Sequence, residues 1–171
     1  PARLEAIDEA LRSTGLIEQL ELRRPRAAHW NELQMAHDAV YLSTIRQRLQ
    51  DVQGVEQLDP DTAANPFTLD AALHAAGAAL QATELVCSGE LRRAFCAVRP
   101  PGHHATRSKA MGFCFFNNAA LAVRAALSRH GLTRVALVDF DVHHGNGSED
   151  ILAGDERVLM VGLFEHPLYP Y

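Results

Sequence analysis

Asp139, Asp141 and His143 stand at alternate positions in the stretch VALVDFDVHHGNG, Val135–Gly147. On an extended backbone alternate side chains share a side, which turns all three one way and Phe140 and Val142 the other. A carboxylate and an imidazole two residues apart can grip one divalent ion from the same side. Taken alone, Asp141-x-His143 fits a structural role equally well. The further ligand-type side chains between Asp139 and Asn146 tip the balance towards a metal. Two protein ligands do not complete a catalytic zinc site: a third must come from elsewhere, and a fourth position must stay open to water or substrate.

His103 and His104 form a second cluster, on the loop Arg99-Pro-Pro-Gly-His-His-Ala105 that two prolines stiffen. Rigidly held imidazoles suit general acid–base work near neutral pH. As joint ligands they are awkward, because neighbours in an extended stretch point apart. An exposed loop with two incidental histidines is the plainer alternative. If the pair is catalytic, each ring needs a partner on its remote nitrogen to fix the tautomer, and Asp139 and Asn146 are available. Gly112 and Phe113, followed by Phe115 and Phe116, read first as core, since aromatics beside a glycine more often fill an interior than line a channel.

The elements that must carry these residues can be read from periodicity. Val135–Val138 is a short apolar run with β-branched residues, which predicts a parallel strand covered on both faces. Its carboxyl end delivers the acidic residues to the edge where α/β sheets hold ligands, and Gly145, Asn146 and Gly147 break it. Helices are predicted over Ala2–Leu11, Leu33–Leu49, Leu69–Val86 and Ala119–Ser128, with a short one over Ser148–Leu152. Strands are predicted over Phe95–Val98 and Val158–Leu163, and Leu20–Trp30 has room for one more. Thr68 can cap the third long helix, and Gly77 within it implies a close neighbour. His37, on the apolar stripe of the second, reads as a packed core histidine. Asp51–Phe67, punctuated by Gly54, Pro60 and Pro66, reads as a long loop. Strands alternating with helices imply parallel crossovers and a layered α/β sheet.

Composition bounds what such a chain can do. The 171 residues, 47% hydrophobic and 22% charged, suit one globular domain and exclude disorder. A formal charge of −5 with scattered basic residues argues against a nucleic-acid partner. No apolar run is long enough to cross a bilayer and no signal peptide opens the chain, so a cytoplasmic protein without a membrane partner is expected. Cys87, Cys96 and Cys114, odd in number and in apolar surroundings, read as reduced and mostly buried thiols. The chain opens on Pro1-Ala-Arg-Leu inside a helical pattern and ends on Leu168-Tyr-Pro-Tyr171, which reads as a cut at both ends.

Three segments together, RPPGHHA at Arg99–Ala105, MGFCFFNNAA at Met111–Ala120 and VDFDVHHGNG at Val138–Gly147, resemble the zinc-dependent histone deacetylase family in order and spacing. That family includes bacterial deacetylase-like amidohydrolases and acetylpolyamine amidohydrolases, and the opening PARLEAI resembles its first helix. The resemblance implies one deacetylase-like catalytic domain over 1–171, incomplete at both ends. The implied fold is a three-layer α/β/α sandwich around a mainly parallel sheet, of the arginase/deacetylase type. Asp141 and His143 match two of three zinc ligands. His104 matches the general base and His103 its electrostatic or acid partner, with Asp139 paired to His103 and Asn146 to His104. Asparagine at that last position resembles the class II side of the family.

By the same resemblance, Gly112 and Phe113 line an acyl-lysine channel, and Asp61 is the rim carboxylate that holds the substrate backbone. A structural potassium would sit on main-chain oxygens of Asp139, Asp141 and His143 with help from the strand holding Leu163, where Gly162 replaces a common serine. The third zinc ligand, an aspartate, and an oxyanion-stabilising tyrosine are expected beyond the last residue, Tyr169 and Tyr171 coming too early in the pattern. The implied reaction is hydrolysis of the acetyl amide of acetyl-lysine or an acetylated small amine. Two rivals stay open: a catalytically incomplete fragment, and an acyl-ligand binding module without turnover. Self-association into a homo-oligomer is also left open.

Overall fold

A computed structural model describes residues 2–170; Pro1 and Tyr171 lie outside it. Along the chain come α1 (Ala2–Ser13), a 3-10 turn (Leu16–Gln19), α2 (Trp30–Leu33), α3 (Ala39–Asp51), β1 (Glu56–Asp59), β2 (Thr62–Ala64) and α4 (Thr68–Cys87). They are followed by α5 (Asn118–Arg129), β3 (Val135–Asp139), α6 (Asn146–Leu152) and β4 (Val158–Gly162). β3 and β4 pair in parallel, Val135 opposite Val158 and Asp139 opposite Gly162, with α6 as the crossover. β1 and β2 form a separate antiparallel hairpin.

The core lies between the helices. Leu33, Leu49, Phe116, Leu121 and Ile151 are fully buried, and each such side chain contributes roughly 1.5–3 kcal/mol. Ala72, Ala75, Ala76 and Leu80 give α4 a thin face that packs on α5. At Gly77 an added Cβ would overlap the Arg26 carbonyl oxygen and come 2.8 Å from the Ala28 nitrogen, so the expected close neighbour is the backbone of that segment. The Ala28 N–H donates to the Leu73 carbonyl at 2.9 Å, which fixes the approach.

Several expectations are corrected. The helix predicted over Leu33–Leu49 is broken between α2 and α3. The His37 ring is pulled inward to join Thr106 and Asn117, and the Asp38 N–H donates to the Arg107 carbonyl at 3.0 Å. Both helices face one core, so the apolar spacing runs across the break undisturbed. Asp51–Phe67 contains the β1–β2 hairpin where a loop was expected. Thr68 starts α4 but does not cap it: its hydroxyl accepts the Asn65 N–H at 2.8 Å, and the N-cap is Phe67.

Leu20–Trp30 and Phe95–Val98 are not strands, because no strand among the described residues runs beside either to complete a ladder. β3 is not covered on both faces. Val135 and Leu137 pack on the core, whereas Val138, Leu159 and Val161 are exposed. All three cysteines are free, as read, but only Cys114 is buried and Cys96 is exposed. No helix of the described residues is long and apolar enough to cross a membrane.

Candidate active site

β3 ends at Asp139, and the chain then curls instead of continuing straight. The Asp141 N–H donates to Asp139 Oδ1 at 3.1 Å and the His143 N–H to Asp141 Oδ1 at 2.8 Å, two successive side-chain turns. The predicted alternation survives this correction, with Phe140 and Val142 left exposed. The Arg99–Ala105 loop closes on itself through the Ala105 N–H to the Gly102 carbonyl at 3.1 Å and is tied to α6 by the Ser148 N–H to the His103 carbonyl at 3.0 Å. That turn overrides the expectation that neighbouring histidines point apart. The His103 and His104 rings lie 3.9 Å from centroid to centroid.

Each imidazole has a different partner on its Nδ1. His103 meets Asp139 Oδ2 at 2.9 Å, and His104 meets Asn146 Oδ1 at 2.8 Å. An amide oxygen only accepts, so Nδ1 of His104 carries the proton and Nε2 keeps its lone pair. Asp139 sets a full negative charge beside His103, whereas Asn146 offers His104 only a neutral carbonyl. Burial pulls the His104 pKa below the ordinary imidazole value; Asn146 opposes this, and the neighbouring His103 and His143 rings add to the fall. The buried ring is therefore a neutral imidazole ready to accept a proton, next to one with a carboxylate ready to stabilise a charge.

Asp141 and His143 face this doublet. Asp141 Oδ1 lies 3.9 Å from His103 Nε2, and the His143 ring 5.9 Å from that of His104. Partial burial disfavours the charge on Asp141, but the His143 N–H and the His103 and His143 rings outweigh it and hold the carboxyl below its usual range. His144 turns away: its Nε2 is 3.3 Å from Glu149, its ring lies tilted against Phe164 at 4.6 Å, and it lines a separate cavity of about 290 Å³ with Met160 and Gly162. Leu163 sits beside Asp139, its N–H donating to the Asp139 carbonyl at 2.9 Å.

The Asp141–His143 pair fits two corners of a tetrahedral metal site. Its donor atoms, Oδ1 and Nδ1, are 3.1 Å apart, against about 3.3 Å for two ligands at about 2.0–2.1 Å from one tetrahedral ion. Among the described residues no third His, Cys, Asp or Glu joins them in a metal-binding group.

The hairpin builds one wall. Asp61 Oδ1 accepts from the Gly112 N–H at 3.2 Å and the Thr62 hydroxyl at 3.0 Å, and Thr62 Oγ1 accepts the Phe113 N–H at 3.0 Å. In this structure Asp61 thus braces the Gly112–Phe113 turn from within the chain. Gly112 has φ +58°, and a Cβ there would run into the His104 ring, so only glycine permits this approach. Phe113 takes φ +64° and projects an exposed ring, unlike Phe115 and Phe116, which are buried as core.

Thr62 lies outside every sequence motif, and Met111 and Asn117 stand within the Met111–Ala120 segment with no role assigned there, yet each holds a site loop. Tyr169, too early in the pattern to be the oxyanion tyrosine, instead stands beside the histidine doublet. Its ring stands perpendicular to His104 at 4.9 Å, and burial, then Asp61 and Asp59, push its phenol up to about 12.

The architecture is that of an arginase/deacetylase-type α/β domain, of which this chain is part. The crystal structure of the HDA15 HD domain matches it with a TM-score of 0.93 at 36% identity, over 99% of this chain and 48% of that one. Residues 1–171 match the histone deacetylase domain, and the chain belongs to the histone deacetylase family. It is 38% identical over 170 residues to the histone deacetylase-like amidohydrolase of Pseudomonas aeruginosa, covering 99% of this chain and 44% of that protein. It is 39% identical over 165 residues to the polyamine deacetylase HDAC10 of Homo sapiens, covering 93% of this chain and 24% of that protein. The chain spans about half the length of the bacterial relative or less.

Proposed function

We propose that the protein carrying this chain is a zinc-dependent deacetylase, hydrolysing the acetyl amide of acetyl-lysine or an acetylated polyamine to acetate and a free amine. One observation carries it: two touching imidazoles with unlike Nδ1 partners, a carboxylate and an amide, facing an aspartate–histidine pair of metal-ligand spacing. Asp141, His143 and a further ligand would hold zinc, which would supply Lewis acidity at the acetyl carbonyl and to a water. His104 Nε2, left bare because Nδ1 donates to Asn146 Oδ1, takes the proton of the attacking water. An imidazole of the doublet returns a proton to the departing amine, with Asp139 beside His103 stabilising the positive charge the pair holds once His104 has taken the proton. Gly112, Phe113 and the Tyr169 ring line the approach, with Asp61 at its rim.

Residues 1–171 make up part of a single catalytic domain, in which the backbone of Asp139, Asp141, His143 and Leu163 would hold a structural potassium ion. The substrate is an acetylated amine, in keeping with the names of the human and bacterial relatives. We assign the protein to the cytoplasm, which its free thiols support.

In the full-length protein, His104→Ala should lower acetate release by at least about 10²-fold while zinc stays bound; near-normal turnover would defeat the assignment. Binding of acetylated amines with no acetate released by the unaltered protein would favour a binding module. Tight stoichiometric zinc binding by the 171-residue chain alone would contradict the view that its site needs a ligand from elsewhere.

A further inference from the structure

The Asn146 amide can sit in two orientations of nearly the same shape, and they have opposite consequences for His104. With Oδ1 towards the ring, Nδ1 must donate and Nε2 stays free. With Nδ2 towards the ring, Nδ1 must accept, the proton moves to Nε2, and the ring can no longer act as a base there. A carboxylate at this position would not face the choice, since both its oxygens accept. An asparagine needs a neighbour that tells its two ends apart.

Met111 is that neighbour. Asn146 Nδ2 lies 3.5 Å from the Met111 Sδ while Oδ1 lies 2.8 Å from His104 Nδ1. A thioether sulfur accepts weakly and never donates, so it tolerates the amide N–H and opposes the amide oxygen. Met111 is itself held in place. Its N–H donates to the Cys114 carbonyl at 3.1 Å and the Cys114 N–H returns to the Met111 carbonyl at 2.9 Å. The tight turn so closed contains Gly112, the residue pressed against the His104 ring. One four-residue turn thus packs on the imidazole and presents a sulfur to its partner.

We propose that Met111 is a positioning residue whose thioether orients the Asn146 amide and thereby selects the His104 tautomer with a free Nε2. It rests on the assignment of His104 as the base. The test uses the full-length, zinc-loaded protein with its histidines 15N-labelled, and reads the His104 tautomer ratio directly beside kcat and KM. Met111→Leu keeps the bulk and removes the acceptor. The Nε2-protonated share of His104 should rise, and kcat should fall roughly two- to five-fold with KM unchanged, in line with loss of one weak hydrogen bond. With Asn146→Asp already in place, Met111→Leu should no longer move the tautomer ratio. An unchanged ratio in the single variant, or equal losses of kcat in both backgrounds, would reduce Met111 to packing and overturn the proposal. If the leucine variant does not fold, norleucine at position 111 exchanges only the sulfur for a methylene, and the same two outcomes decide. Should the unaltered protein release no acetate, the deacetylase reading fails by itself, and the tautomer measurement still judges Met111.

Discussion

Acid should weaken this fold through His37, and the size of the effect can be worked out. The His37 ring is almost wholly buried, its Nδ1 lies 2.9 Å from the Thr106 carbonyl, and its Nε2 accepts the Asn117 N–H at 2.9 Å. That pattern needs a neutral ring, with Nδ1 protonated and Nε2 bare. Burial is the largest cause lowering its pKa, from 6.5 to about 4, with the Thr106 and Arg107 backbone opposing, the Arg107 charge adding to the fall and Asp38 opposing it. The folded value lies below the unfolded one, so the unfolded chain binds the extra proton between them. Stability is then full above about pH 6.5 and is lost as pH falls towards about 4, by roughly 3 kcal/mol at about 1.4 kcal/mol per pH unit. The loss has a route to the site, because Asn117 also caps α5 and holds the Ala105 carbonyl beside His104. Urea denaturation of the protein and of His37→Gln, from about pH 7.5 to about pH 4, isolates this residue from other titrating groups. The glutamine variant should start less stable and show a shallower pH dependence. Parallel curves for the two proteins, or a His37 NMR titration near its ordinary value, would show that His37 does not carry the acid loss.

Gly112→Ala should cost about 1–2 kcal/mol from the left-handed backbone alone, and by displacing His104 should lower turnover by about 10²-fold; acetate release and thermal unfolding check both. Glu32→Gln removes the charge that Arg26 and Arg129 share at 2.7 Å. Both guanidinium groups are more than a third exposed, so the expected loss is about 1–3 kcal/mol, below that of a fully buried pair, and denaturant titration measures it. Asp139→Asn should lower kcat by about 10²-fold or more by taking the charge from His103, with zinc content unchanged by metal analysis. Chelation should end acetate release and added zinc restore it, whereas turnover persisting in metal-free protein would rule out the zinc mechanism.

Periodicity alone located α1, α4, α5, α6 and the β3–β4 pair, because burial of one helical face or a short β-branched run leaves a repeat in the local sequence. The motif residues His103, His104, Asp139, Asp141, His143 and Asn146 were likewise legible, since chemistry restricts which side chains can stand there. The hairpin inside Asp51–Phe67, the break before α3 and the closed turn at His103 were not. Each is decided by partners far away in the chain: Phe113 on Thr62, Thr106 and Asn117 on His37, Ser148 on the His103 carbonyl. Local pattern reports a residue's own preferences, and a hydrogen bond between segments this far apart in the chain leaves no mark in it. The motif thus names the groups available at the site, and contacts between distant segments set which partner each imidazole meets. The one imidazole meets a carboxylate and the other an amide because the ends of β3 and α6 converge there.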